Sequence, residues 1–336
     1  MPASVKDVAA LAGVSSSTVS NYLNHPHVLG AASRERVRAA IEQLGFVPNE
    51  SARQLRAGSS KALALILLDA WLPYFHDLSR GVEDVAREGG WSLFFSNSDR
   101  DETQERRNLD MFEAHRVQGI VIYPLGDVVP RLEALAERGI RSVVVGPIPD
   151  STKVASVLFD DRAGGRLAGE HLVELGRRRI LFLGNPAVSQ SNDRLAGLRE
   201  AVAGTRATVA TVEVPHLATE DGLEAGARII ALPAAERPDA VFAANDMVAL
   251  GVLTQLLRHG IRVPEEIALI GFDDVAQAHQ GVVPLTSVRQ PGYEIGRAAG
   301  AALLQQLADP TAPPPATTPF PAELIVRDST RGRTGS

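Results

Sequence analysis

From Ser15 to Asn21 the chain reads Ser-Ser-Ser-Thr-Val-Ser-Asn, so six of seven successive side chains carry a hydroxyl or an amide. Such groups hydrogen-bond phosphate oxygens and base edges well, but a hydroxyl attacks nothing without a base positioned beside it. No catalytic motif supplies one: the GxxxxGK[ST] phosphate loop, the HExxH zinc motif and the GxSxG nucleophile elbow are all missing, and there is no cysteine. The eight histidines are scattered, and the one close pair, His25 and His27, has no third metal ligand type nearby. The adjacent acids Asp160–Asp161 and Asp273–Asp274 each read as a helix cap plus one ligand contact rather than as an acid–base pair. Binding rather than catalysis is expected, with no cofactor and no metal.

The elements that must present Ser15 to Asn21 are two short helices and a tight corner. Val5, Val8, Ala9 and Leu11 recur at helical spacing, Gly13 can take the positive φ that ends a helix, and Ser15 can accept from the free N–H groups opening the next. Helices are therefore expected over Val5–Ala12 and Ser16–Leu23. Ala9, Gly13 and Val19 supply a small residue under the crossing helix, a turn residue and an apolar anchor, the requirements of a helix-turn-helix. A third helix is expected after Ser33 as N-cap, with Val37, Ala40, Ile41 and Leu44 on one face and Gly45 as its stop. In such a unit the second helix turns its N-terminal and outward residues to the major groove of DNA. Ser15, Thr18 and Ser20 can then donate to phosphates and fix register, while Ser16, Ser17 and Asn21 face base edges.

The 336 residues exceed one typical domain, and 45% hydrophobic content is ample for cores. Up to Lys61 seven basic residues stand against four acidic ones, a balance of +3, so −9 of the overall −6 falls on the remainder. A mildly basic head on an acidic body concentrates attraction for phosphate at one end, although +3 over this length is also ordinary surface variation. No stretch near twenty apolar residues occurs, and MPASVKDVAALAG lacks the form of a signal peptide, so a cytoplasmic protein with no membrane partner is expected.

Beyond Lys61 short apolar runs alternate with helical stretches. ALALILLD, WSLFFSN, GIVIYP, RSVVVG, SVLFD, RILFLG, TVEVP, AVFAAND and IALIGFDD read as strands, and LSRGVEDVAREG, RAGGRLAGEHLVELG and DRLAGLREAVAG as helices. This is the rhythm of an α/β fold with doubly wound parallel sheets. It runs from Leu63 to about Val145 and again from Arg178 to Leu269, which predicts two similar lobes with a cleft at the carboxyl ends of their strands. The Pro-rich run Asp309–Pro321 reads as a surface connection before a last strand, ELIVR.

These residues resemble the lac repressor and galactose repressor family of bacterial transcription regulators. The family's head has the form DVAxxAGVSxxTVSxxLN followed by PNxxARxL. Here Asp7, Val8, Ala9, Ala12, Gly13, Val14, Ser15, Thr18, Val19, Ser20, Leu23 and Asn24 match, then Pro48, Asn49, Ala52, Arg53 and Leu55. The likeness extends over nearly the whole chain, through RVQGIVIYP, DRLAGLREA, FAANDMVALGVL, IALIGFDD and PLTSVRQP. It implies an all-α head (1–48), a hinge helix and linker (49–61), a two-lobed periplasmic-binding-protein-like effector and dimerisation domain (62–330) and a disordered tail (331–336). It implies a homodimeric repressor of a near-palindromic operator, controlled by a small effector, and not an enzyme. The alternative is a sugar sensor without specific DNA binding.

The same resemblance implies roles. Ser16, Ser17 and Asn21 stand where relatives read bases, yet many relatives carry arginine or histidine at the position of Asn21, so the half-site here is expected to differ. In the hinge, Leu55 would wedge into the minor groove, with Ala52 permitting close packing, Arg53 beside the backbone and Asn49 a further DNA-binding residue; the plainer alternative is a flexible linker. The effector pocket would draw Tyr74 and Phe75 from the first lobe and Arg194, Asn245 and Asp273 from the second, with Gln190 and Asn192 adding specificity. Leu217 occupies a place where relatives often present an aromatic, and Trp71 and Leu72 stand where a small polar pair is common, so a purine is disfavoured and a sugar-like effector expected. The helices beginning near Pro73 and Asp246 would lie at the dimer interface.

Overall fold

The computed structural model describes residues 3–46, 61–149, 151–315 and 319–331, and the chain divides into two compact units, Met1–Ser60 and Lys61–Ser336.

In the first unit lie α1 (Val5–Ala12), α2 (Ser16–Asn24) and α3 (Ala31–Leu44), with a single 3-10 turn at Pro26–Val28. Ser4 caps α1: its hydroxyl accepts from Asp7 N–H, and the Asp7 carboxylate accepts from Ser4 N–H at 2.8 Å. Gly13 (φ 61) and Gly45 (φ 57) close α1 and α3 in the left-handed conformation. Val8, Val19 and Val37 are fully buried and join Ala9, Ala12, Ala40 and Phe46 in one core. Contrary to the expected cap at Ser33, α3 starts at Ala31. Gly30 takes the extended cap conformation and its carbonyl accepts from Ser33 and Arg34 N–H, so Ser33 is already in the first turn.

The second unit opens with β1 (Ala62–Leu67), α4 (Pro73–Glu88), β2 (Ser92–Asn97), α5 (Glu102–Ala114), β3 (Gly119–Ile122), α6 (Val129–Glu137), β4 (Arg141–Val145) and β5 (Val154–Val157). Their strands form a parallel sheet in the order β2-β1-β3-β4-β5. Both faces are covered, which explains the unbroken apolar run of β1. Leu63, Leu65 and Leu67 join Leu78 and Val82 on one side, while Ala64 and Ile66 join Leu109, Leu132 and Leu135 on the other.

The second lobe holds α7 (Asp161–Glu174), β6 (Arg179–Gly184), α8 (Ser189–Val202), β7 (Thr208–Glu213), α9 (Thr219–Ala231), β8 (Ala240–Ala243), α10 (Asp246–Arg258), β9 (Ala268–Asp273), α11 (Ala276–Gln280) and β10 (Thr286–Arg289). The chain then returns to the first lobe as α12 (Gly292–Ala308), whose Ile295, Ala299 and Leu303 complete that lobe's core, before β11 (Glu323–Ile325) and α13 (Asp328–Arg331). The second sheet runs β11-β10-β9-β8-β6-β7, parallel except for β11.

Sequence pattern misplaced some boundaries. The expected strand SVLFD begins earlier, because Val154–Val157 pair with Ser142–Val145, and Phe159 instead bridges Phe320 where the chain crosses between lobes. The expected TVEVP strand likewise starts at Thr208, held by pairing along all of β6. Arg331, assigned to a tail, closes α13; residues 332–336 and the hinge segment 49–60 lie outside the described residues.

One close approach sets up the cleft. A Cβ built on Gly165 in α7 would lie 2.0 Å from the Arg194 carbonyl oxygen in α8, and one on Gly197 1.9 Å from that of Arg162. The two helices therefore touch backbone to backbone, which brings the start of α7 within side-chain reach of Arg194. Gly165→Ala is expected to destabilise the second unit by about 1–3 kcal/mol in urea unfolding; wild-type stability would contradict this packing.

Candidate functional site

On the head, Ser15, Ser16, Ser17 and Asn21 are exposed and Thr18 and Ser20 half-buried, while Val19 is sealed in the core behind them. The Ser15 hydroxyl caps α2 by accepting from Thr18 N–H at 3.1 Å and sits 2.7 Å from Ser17 Oγ and 2.9 Å from Thr18 Oγ1. This hydroxyl cluster is at the positive end of the helix, where anions are favoured. Ser16 and Asn21 complete the exposed face of α2. Asn49, Ala52, Arg53 and Leu55 lie outside the described residues.

In the second unit the centre is Arg194, 6% exposed. Its Nε donates to Asp161 Oδ1 at 2.8 Å, Nη1 to the Ala244 carbonyl at 2.5 Å and Nη2 to Gln290 Oε1 at 3.1 Å. Its Cζ stacks 3.6 Å above the Phe272 ring, and Asp273 Oδ1 lies 3.9 Å from Nη1. Gln290 passes the network into the first lobe, donating to Tyr74 Oη at 3.0 Å. Tyr74, Phe75 and Tyr123 pack edge to face with ring centroids 5.0–6.3 Å apart. Gln190 is buried, with its Nε2 3.3 Å from where a Cβ on Gly146 of the first lobe would stand.

One guanidinium thus faces two carboxylates. Burial pushes Asp161 up to about 6 and Asp273 up to about 7, against the pull of Arg194. Burial works against the charge of Arg194 too, but Asp161 and then Asp273 offset it and leave its pKa raised. Burial also raises the Tyr74 and Tyr123 phenols, keeping both as neutral hydroxyls. The result is a dry cluster of donors and acceptors beside aromatic rings, suited to a ligand bearing several hydroxyls.

Of the residues singled out from sequence, Tyr74, Phe75, Gln190, Arg194 and Asp273 line this junction. Asn245 is buried, but its amide is engaged structurally: Oδ1 accepts from Val248 N–H at 3.0 Å, capping α10, and Nδ2 donates to the Leu217 carbonyl at 2.8 Å. The Leu217 side chain packs in the second-lobe core, with its backbone left-handed at φ 53. Asn192 does not join the cluster. Two residues from Gln190 and two from Arg194 on the same helix, it points to solvent and donates to the Pro186 carbonyl at 2.8 Å. Arg194 pairs with Asp161 rather than with Asp193 or Glu200, and Glu200 is taken by Arg162.

Asp161, Gln290 and Tyr123 were missed as site residues. The signal for Asp161 was the Asp160–Asp161 pair, in which Asp160 caps α7 by accepting from Ala163 N–H. Backbone strain marks the same region: Asp99, Arg100, Leu217, Asp273 and Asp274 all have positive φ and lie at or after the carboxyl ends of β2, β7 and β9. Trp71, in the loop after β1, is 83% exposed.

Two parallel-sheet lobes enclosing a polar junction, together with a helix-turn-helix head, define a ligand-responsive DNA-binding regulator. A profile of the bacterial regulatory proteins of the lacI family matches residues 4–49, and one of the periplasmic binding protein-like domain matches residues 170–330. The HTH-type transcriptional repressor PurR of Haemophilus influenzae (strain PittEE) is 31% identical over 337 residues, covering 98% of this chain and 99% of that protein. The lac repressor dimer bound to operator and the anti-inducer ONPF superposes with a TM-score of 0.83 at 27% identity, covering 98% and 99% of the two chains. A complex of the transcriptional regulator CelR with cellobiose gives 0.70 at 30% identity, covering 97% and 99%. The chain belongs to the lacI family of bacterial regulatory proteins. No helix among the described residues is long and apolar enough to cross a membrane.

The raised carboxylates carry a pH signature. With folded values near 6 and 7 against an unfolded value near 3.8, the folded protein binds more protons between those limits. The contribution of these two groups to stability is therefore fullest below about pH 4 and is lost as pH rises through 6 to 7. Asp273→Asn is expected to lose less stability than wild type between pH 5 and 8, by about 1–3 kcal/mol in urea unfolding. An unchanged pH profile would assign the dependence to other groups.

Proposed function

We propose that the protein is a sequence-specific transcriptional repressor that binds a near-palindromic operator as a homodimer and is switched by a small polyhydroxylated effector, a sugar or sugar derivative. The observation that carries this reading is the exposed face of α2, with Ser16, Ser17 and Asn21 projecting from a helix locked by its Ser15 cap and buried Val19. In this reading Ser15, Thr18 and Ser20 hold phosphates. Residues 49–61 form the hinge, with Leu55 entering the minor groove and Asn49, Ala52 and Arg53 beside it. Asn21 favours adenine in the half-site, because an amide pairs bidentately with its N6 and N7.

Arg194, Asp161 and Asp273 take the effector's hydroxyls, while Tyr74 and Phe75 cover its apolar face. Leu217 offers no π surface, which favours a sugar over a flat aromatic base. The cellobiose complex of CelR and the operator complex of the lac repressor support these two assignments by likeness. The dimer face includes α4 and the edge strand β2, where Phe94 and Phe95 are 53% and 49% exposed and Phe95 lines a cavity of about 530 Å³ with His76, Ser79, Arg80 and Glu83. The helix starting at Asp246 supplies its second half.

Selection from a random DNA pool is expected to enrich a palindrome, bound about 10–100-fold more weakly after Asn21→Ala and more weakly after Leu55→Ala in fluorescence polarisation. Enrichment of no sequence would leave a sugar sensor without specific DNA binding. Replacing Phe94 and Phe95 together by Asp is expected to shift sedimentation from dimer towards monomer; an unchanged dimer would move the interface elsewhere.

A further inference from the structure

Neither the DNA-reading face nor the Arg194 centre uses Arg100, in the loop after β2. Asp99 (φ 52) and Arg100 (φ 57) are consecutive left-handed residues, a conformation that side chains other than glycine adopt at a cost. The Arg100 side chain is 12% exposed, and its Nη2 lies 3.0 Å from Asp69 Oδ2 in the loop after β1. Its Nε is buried without any hydrogen-bond acceptor, and Nη2 has no partner beyond that ion contact. A native protein rarely leaves a buried guanidinium donor unmet, so such an orphan asks for a partner that arrives later. Burial lowers the pKa of Arg100, and the carboxylates near enough to oppose this are Asp69, Asp221 and Asp99. Of these only Asp221 belongs to the other lobe.

Asp221 stands in the first turn of α9, buried at 8% exposure. Its Oδ2 accepts from His216 N–H at 2.9 Å and Ala218 N–H at 3.0 Å. This carboxylate ties both ends of the turn, which Asn185 Nδ2 braces further at the Pro215 carbonyl. Between the two tied residues sits left-handed Leu217, whose carbonyl receives Asn245 Nδ2, and Asn245 caps α10. Among the described residues Asp221 Oδ1 accepts nothing. An unused donor on one lobe therefore stands after the edge strand β2, and an unused acceptor on the other stands at the start of α9 after the edge strand β7, each beside left-handed backbone at the carboxyl end of its sheet.

We propose that Arg100 and Asp221 form a closure clasp between the lobes: as the lobes draw together Arg100 Nε meets Asp221 Oδ1, and Asp221 carries the movement into Leu217, Asn245 and the start of α10. Asp69 cannot serve this purpose, because it is on the same lobe as Arg100 and already accepts from Trp71 N–H at 2.9 Å. Arg100 is thus a closure residue and Asp221 a positioning residue for the effector site, without either touching the effector. The clasp rests on the reading of this unit as an effector domain coupled to DNA binding.

The chain has no cysteine, so a full-length Arg100→Cys/Asp221→Cys protein carries only the two thiols of interest. The probe is the shortest bis-maleimide that bridges them, with operator DNA selected by the wild type. Efficient cross-linking, with operator affinity changed about tenfold in the linked form, is the expected result. No cross-link, or a linked protein that binds operator as the unlinked one does, overturns the clasp. Absence of any operator binding by wild type would strike the regulator reading, and the clasp would then stand or fall on cross-linking yield alone. Should the cysteine pair fold poorly, Arg100→Lys, which keeps the charge but loses Nε, is compared with Asp221→Asn. The two are expected to shift operator affinity in the same direction by about threefold or more, and the double variant no further; additive effects overturn the proposal.

Discussion

The buried Arg194 guanidinium is the interaction on which the arrangement of the effector unit turns. It binds the start of α7 through Asp161, the end of β8 through the Ala244 carbonyl, and the crossing after β10 through Gln290, while lying on Phe272 of β9. A buried charge of this kind adds little net stability, because desolvation consumes most of the Coulombic gain. What it does is fix geometry: removing any one partner would leave a charge or amide unmet in a dry interior. The elements it joins carry Asp161, Asp273 and Gln290, and Gln290 in turn reaches Tyr74 of the first lobe, so the shape of the junction and the pairing of Arg194 are one constraint.

That constraint depends on glycine. Without the contact of α7 with α8 at Gly165 and Gly197, Asp161 and Arg194 could not share a hydrogen bond. It depends equally on the return of the chain to the first lobe as α12, because this places Gln290 between the lobes and in reach of Tyr74. The network is therefore continuous across the junction: Arg194 to Gln290 to Tyr74, with Phe75 and Tyr123 packed on the same rings. A ligand that replaces some of these contacts necessarily acts on both lobes, which is the physical requirement for a binding event to change their relative arrangement.

The head was legible from sequence because its signals are local. Gly13, Ser15 and Gly45 act within one turn of their own positions, and Val19 is buried for reasons visible in a nine-residue window. Ser33 misled because a serine inside a first turn looks like a cap, and Gly30 caps through backbone conformation alone. The alternation of strands and helices was equally visible, but SVLFD was not recognised as a crossing, since that depends on Phe320, far away in the chain. In the cleft, Arg194 and Asp273 stood out as polar residues in a family pattern. Asp161 and Gln290 did not, because residues this far apart in sequence meet only through helix packing and chain return. Asn192 neighbours Gln190 and Arg194 in sequence, but helical phase turns it to solvent.

The central claim is that occupancy of the Arg194 junction and docking on DNA are thermodynamically coupled. The most direct measurement is calorimetric titration of monosaccharides and cellobiose into the protein with and without its selected operator. The account predicts one sugar whose affinity changes on adding operator, by the same factor as that sugar changes operator affinity. Equal sugar affinity in the two titrations, with both ligands bound, would contradict it.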